Sequence, residues 1–383
     1  MGGKTKLLCT ILPLLLLCGC WSRNEISELS IVMGVAVEKD EKNETGLITQ
    51  IVVPENVGLG SGNGRGSGKP YVNIYTGCKH IAEGMVRAGN QSDKEIYLSH
   101  NLVILFDDDV AKEGIYPQLD YFLRNNEMRL NVLLFVTEDD VKEIMNIKSE
   151  TYQIPATYIA SLGVALRESS EGVSKNLLEF ITDMLKKSNA SLVPIVTYDD
   201  TSEPKSLRVT SSALFKDDKM VAKLSPNETR GIMWLNDTIE RGVIITEIDG
   251  EAVSARINGS STKRRVYADK DGKVSVACDI RTELFLKSDK NGIVVFDNMD
   301  RIKNKLAEEI KSEIRSSFDK MQEKGTDVYG FAHNIYQKDF RTWEKIKDDW
   351  ENIFRNLQVD LNVEVILRET GSIDESVIKE SEE

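Results

Sequence analysis

The chain has 383 residues, 40% hydrophobic and 29% charged, with a formal net charge of −13. That length asks for more than one core, and the composition is that of a globular chain rather than an unstructured one. An acidic body is repelled by nucleic acid and by anionic lipid, which excludes nucleic-acid binding and argues against a polybasic membrane contact.

Residues 1–19 have the layout of an export signal. Lys4 and Lys6 precede the apolar run 7–17, which is too short to span a bilayer comfortably. Leu17-Cys18-Gly19-Cys20 closes it and looks like a bacterial lipobox, with cleavage expected ahead of Cys20. A diacylglyceryl group would then sit on the Cys20 sulfur as a thioether. Two acyl chains, at about 0.8 kcal/mol per buried CH₂, anchor stably where one is marginal. Cleavage removes Lys4 and Lys6 and no acid, which takes the net charge from −13 to −15. Of five cysteines only Cys78 and Cys278 would remain as thiols, both expected in the core. Residues 20–30 form a short polar tether.

Strands follow at 31–37 and 47–53, around a charged turn. The glycine-rich segment 58–68 fits no phosphate loop: Asn63 stands where Walker spacing needs glycine, and Pro70 where it needs Ser or Thr. It reads as a flexible surface loop. Ile74, Cys78, Ile81, Met85 and Ala88 recur at helical spacing and predict one helix, closed by Gly89-Asn90. A strand over 97–106 has a continuously apolar stretch and should be buried on both faces. A helix near 110–123 comes next, then a strand at 130–136 and a short helix opened by Thr137-Glu138-Asp139-Asp140. Helical patterns near 155–167 and 174–187 lead into a strand at 191–198. Residues 31–198 are thus an N-terminal α+β domain, and 199–206, with Thr201-Ser202-Glu203-Pro204, reads as a linker.

Hairpin signals dominate beyond it: 207–215 with 220–224, 242–248 with 251–257 across Asp249-Gly250, and 265–268 with 273–280 across Asp271-Gly272. Ser225-Pro226-Asn227-Glu228 is a capping box opening a helix through Trp234. Ile302, Leu306, Ile310, Ile314, Phe318 and Met321 mark a long amphipathic helix ended by Gly325. Trp343, Ile346, Trp350 and Phe354 share one face of a second helical stretch, expected as core. Residues 359–367 alternate strictly, as a half-buried strand does. The C-terminal α+β region is 207–373, with a hairpin-rich part near 207–290 and a helix–strand part near 291–373, before an acidic tail at 374–383. The fold class is α+β, multi-domain.

No catalytic constellation emerges. GxSxG, SxxK, HExxH and CxxC are missing, the three histidines are scattered, and Cys78 and His80 would point to different faces of the predicted helix. Asp107-Asp108-Asp109 could bind a cation, but the start of a helix favours carboxylates there without one. No catalytic residue, metal ligand or cofactor is expected, and binding or scaffolding is favoured over catalysis.

Cys20-Trp21-Ser22-Arg23-Asn24-Glu25-Ile26 after the lipobox resembles the start of the Ger(x)C family. Tyr97-Leu-Ser-His-Asn-Leu-Val-Ile-Leu and Leu119-Asp-Tyr-Phe-Leu-Arg-Asn-Asn-Glu-Met-Arg-Leu130 are similar to two further family segments. Ala213-Leu-Phe-Lys-Asp-Asp-Lys-Met-Val, Glu228-Thr-Arg-Gly-Ile-Met-Trp-Leu235, the stretch from Gly330 to Trp350, Val359-Asp-Leu-Asn-Val-Glu-Val and Arg368-Glu-Thr-Gly371 extend the likeness. The glycine-rich segment is longer and more regular than the family pattern. The resemblance implies a lipid-anchored, non-enzymatic C subunit of a nutrient germinant receptor, on the outer face of the inner spore membrane. It would assemble with integral-membrane A-type and B-type subunits, and no ligand-binding residue is assigned to it. The alternative is a substrate-binding lipoprotein of an importer, which would need two parallel-sheet lobes around a cleft, against the hairpin texture of 207–280.

Overall fold

The computed structural model describes residues 28–42, 44–58, 68–203, 205–269, 272–289 and 299–368. Leu17, Cys18, Gly19 and Cys20, most of the glycine-rich segment and the acidic tail lie outside them.

Strands β1 (Leu29–Asp40), β2 (Glu44–Val52) and β3 (Tyr71–Cys78) form an antiparallel meander. β4 (Glu95–Tyr97) and β5 (Val103–Asp107) then run parallel to β1, and β6 (Leu133–Thr137) and β7 (Ala190–Asp199) continue in parallel. β8 (Ser206–Lys216) and β9 (Lys219–Leu224) return antiparallel, giving a nine-stranded sheet. Helices cover both faces. On one lie α1 (Ile81–Gln91), α2 (Asp108–Glu113), α3 (Tyr116–Arg124) and, further along the chain, α6 (Leu177–Met184). On the other lie α4 (Val141–Ile144) and α5 (Pro155–Ser169). Because β5 lies between these two layers, Val103, Ile104, Leu105 and Phe106 are each 0% exposed, as the continuous apolar run required.

α7 (Pro226–Leu235) leads from the first sheet to a second, in the order β10 (Gly242–Ile248), β11 (Glu251–Ala268), β12 (Val274–Asp289) and β13 (Val359–Arg368). α8 (Met299–Lys324) packs on one face, followed by α9 (Phe331–Lys338), α10 (Phe340–Ile346) and α11 (Trp350–Arg355). Trp343, Ile346, Trp350 and Phe354 are core, and β13 alternates as read.

Several expectations need correcting. Ile74 and Cys78 belong to β3, not to the helix that carries Ile81, Met85 and Ala88; a spacing of four puts side chains on one face of a helix and of a strand alike. That helix ends at Ser92, whose N–H meets the Ala88 and Gly89 carbonyls, rather than at Gly89-Asn90. The strand expected over 97–106 is broken by a turn in which the Asn101 N–H donates to Leu98 O at 3.0 Å. The helix near 110–123 is two, parted at Gly114, whose φ of +124° is foreign to a helix. Asp140, not Thr137, caps α4. Residues 199–206 are not an open linker: Asp199 pairs with Ser206 in the β7–β8 ladder, so the first sheet runs on to Leu224. The two hairpins expected across 242–280 are one meander, because β11 is a single 18-residue strand shared by both.

Candidate functional site

A cleft of about 720 Å³ lies where the two sheets meet, between α6, β7, the end of α7 and the α8–α9 loop. Its floor on one side is Asp183. Lys175 Nζ and Lys186 Nζ each lie 2.7 Å from its carboxylate, and Ser191 Oγ donates at 2.8 Å. Burial pushes the Asp183 carboxyl up, but the two ammoniums outweigh it and hold the group below its ordinary range. On the other side Arg264 Nη1 donates to Tyr329 O at 2.7 Å and to Asn236 Oδ1 at 3.1 Å. Asp237 Oδ1 accepts from the Thr262 N–H at 2.7 Å, and Glu179 pairs with Arg167. At the rim Ser170, in the left-handed region at φ 53°, turns its Oγ to accept from the N–H groups of Glu240 and Arg241. Of these contacts the Ser170 bonds cross from the first unit to the second, while the ion pairs stay within one unit each. The acids Asp183, Glu179 and Asp237 are each engaged by a neighbour in their own unit, so they are structural partners rather than a set of poised acids and bases.

Behind the cleft lies a second joint. The capping box is formed as read, with Ser225 Oγ accepting from the Glu228 N–H and Glu228 reaching back to the Ser225 N–H. α7 then presents Arg230, Gly231 and Trp234 to α8. Glu313, 3% exposed, accepts from Arg230 Nε at 2.9 and 3.1 Å and from Trp234 Nε1 at 3.0 Å. Gly231 lies against the Glu313 backbone, where an added Cβ would overlap the carbonyl oxygen. The family-like run Glu228–Leu235 is therefore a helix-docking device around one buried carboxylate. Sequence reasoning missed Glu313, although its position three after Ile310 and four before Ser317 is on the apolar face of α8.

The other sequence-singled residues are structural. Cys78 and Cys278 are free thiols, each 1% exposed, and burial raises both, Cys278 to about 11. Cys78 ends β3 and His80 precedes α1, so they do not share the helix expected for them. The three aspartates from 107 to 109 have carboxylate oxygens within 4.8 Å of one another. Asp107 accepts from the Asp109 N–H as the cap of α2, and Asp108 pairs with Lys112, which is the helix-start reading. No helix among the described residues is long and apolar enough to cross a membrane.

Fold and joint together define a two-unit α+β protein whose sheets are welded through α7. Family profiles agree on both halves: "Spore germination protein N-terminal domain" matches residues 22–198, and "Spore germination B3/GerAC like, C-terminal" matches 210–371. The chain belongs to the Ger(x)C family of spore germination proteins. It is 24% identical over 376 residues to the putative spore germination protein YfkR of Bacillus subtilis, covering 95% of this chain and 96% of that protein. It is 26% identical over 396 residues to spore germination protein A3 and 24% over 384 to spore germination protein KC, both of the same organism. Those alignments cover 96% and 94% of this chain, and 98% and 94% of the relatives. The crystal structure of the GerBC protein shares the fold, with a TM-score of 0.55 at 19% identity over 90% of this chain and 99% of that one.

Proposed function

We propose that this chain is the lipid-anchored C subunit of a nutrient germinant receptor, acting without catalysis through assembly with integral-membrane A-type and B-type subunits. The observation that carries the reading is the match of both family profiles over one chain whose N-terminus has a lipobox ending at Cys20. The relatives named spore germination proteins A3 and KC align over nearly their whole length, which supports a role for the entire chain in germination. The Cys20 thioether would hold the body at the outer face of the inner spore membrane. A Cys20→Ala variant is expected to leave the spore membrane fraction and to slow nutrient-triggered germination. Fractionation and germination assays on spores test this, and a variant that stays membrane-bound and fully active would refute the anchor.

A further inference from the structure

We propose that a patch formed by Leu185, Lys187, Tyr336, Lys338, Phe340 and Arg341 is the face this protein rests on an anionic bilayer. The proposal builds on the lipid-anchored reading above and adds an orientation to it.

A single anchor sets distance but not orientation. Eight residues lie between Cys20 and Leu29, where β1 begins, and such a tether reaches up to about 30 Å. Which side meets lipid is then decided by the surface of the body itself. Among the described large apolar side chains Leu185 is the most exposed, at 78%, and Phe340 stands at 55%. They come from different units, and the chain of contacts that brings these units together here starts at Lys187, two residues after Leu185. Lys187 Nζ lies 4.9 Å from the centre of the Tyr336 ring, and that ring is 5.7 Å from Phe340. Lys187, Lys338 and Arg341 are exposed around them. Burial, and then the charges of Lys186 and Lys187, hold His333 below the usual imidazole range. Of the nearby carboxylates, Asp183 is paired with two lysines, while Asp339, bonded to the N–H and hydroxyl of Thr342, keeps its charge and is outnumbered by Lys187, Lys338 and Arg341. Exposed apolar side chains ringed by cations are what a lipid–water interface accepts, the stems lying in the headgroups and the charges meeting phosphate.

Net charge conceals this arrangement because the charge is segregated. The patch lies beside the start of β7. The far end of that 10-residue strand, about 30 Å away, carries Asp199 and Asp200. There the Tyr198 N–H donates to Asp139, which joins this end to the acidic run 138–140. Lys223 pairs with Glu138, Lys205 lies over the Tyr198 ring and Arg208 faces Asp199. Yet the five acids Glu138, Asp139, Asp140, Asp199 and Asp200 outnumber these three cations, so this end is pushed from anionic lipid while the patch is drawn to it.

The test uses the full lipidated chain in vesicles of phosphatidylcholine with about a third phosphatidylglycerol, doped with headgroup-nitroxide lipid. A fluorophore is placed at Gln337→Cys or, in a second protein, at Asp200→Cys; both sites are exposed, and Cys78 and Cys278 are buried. Quenching at 337 is expected to exceed that at 200 several-fold. Lys187→Glu with Arg341→Glu should abolish most of that difference, as should high salt. Equal quenching at the two sites, or more at 200, in protein that floats with the vesicles overturns the orientation and leaves anchoring intact. Protein that fails to float overturns the anchor itself.

Discussion

Asp327 lies 3% exposed in the loop between α8 and α9, its carboxylate accepting from the N–H groups of Phe331 at 3.1 Å and Ala332 at 2.7 Å. Burial pushes this carboxyl up to about 6, while the N–H groups pull the other way. A folded-state pKa above the unfolded value of about 3.9 means the folded chain holds more protons between those values. Stability from this group is therefore complete below about pH 4 and is lost as pH rises through about 6. Most other shifted carboxylates, Asp183 among them, are held low and impose the opposite trend. The difference between wild type and Asp327→Asn isolates the effect: the variant should gain stability relative to wild type from pH 4 to 6 and track it above. Denaturant melts at half-unit pH steps would check this, and a difference flat across that window would refute it. Asp327 was not legible in the sequence, because it lies in a loop where no period applies, whereas the spacing of Glu313 from Ile310 put it on the apolar face of α8. Capping residues were legible, since Ser225 and Glu228 act on backbone three residues away and need no tertiary context.

The α7–α8 pair shows what one glycine and one carboxylate do for two helices. Gly231→Ala puts a methyl group into the Glu313 carbonyl, so the helices must part; the cost expected is about 1–3 kcal/mol or more. Glu313→Ala removes the ion-pair partner of Arg230 and the acceptor of the Trp234 N–H, leaving a guanidinium that is 21% exposed with the Val243 carbonyl as its remaining acceptor. The cost therefore falls below that of a fully buried broken pair, about 3–5 kcal/mol. Replacing the ion pair whole, Arg230→Met with Glu313→Leu, should cost far less than either half alone, because no charge is stranded. Chemical denaturation of the four proteins decides it; if the double variant is as damaged as Glu313→Ala, geometry rather than charge dominates the joint. At this scale the sequence was legible where one period applied over a long stretch, as in α8 and β13. It failed at short boundaries. Ile74 and Cys78 fit either period, and the left-handed break at Gly114 leaves no mark on the apolar pattern.

Strand pairing between distant segments was the least legible feature, since turn chemistry identifies hairpins but not which sheet receives them. The hairpin over 206–224 reads locally as the opening of the second half, yet β8 pairs with β7 and completes the first sheet. This has an energetic consequence. Leu192, Leu214 and Leu224 come from the first sheet but share one continuous core with Trp234, Ile310 and Phe354. Lys216 also reaches Glu351 across the junction at 2.7 Å, though an exposed pair of this kind adds little. Two units sharing a core unfold together when the shared contacts outweigh the independence of each part. Calorimetry of the full chain is therefore expected to give one transition, with the van't Hoff enthalpy equal to the calorimetric one. Leu214→Ala should cost about 2–5 kcal/mol and lower the stability of both units together. Two resolved transitions in the unaltered protein, or a Leu214→Ala variant in which only the first unit melts early, would mean that α7 is a hinge rather than a weld.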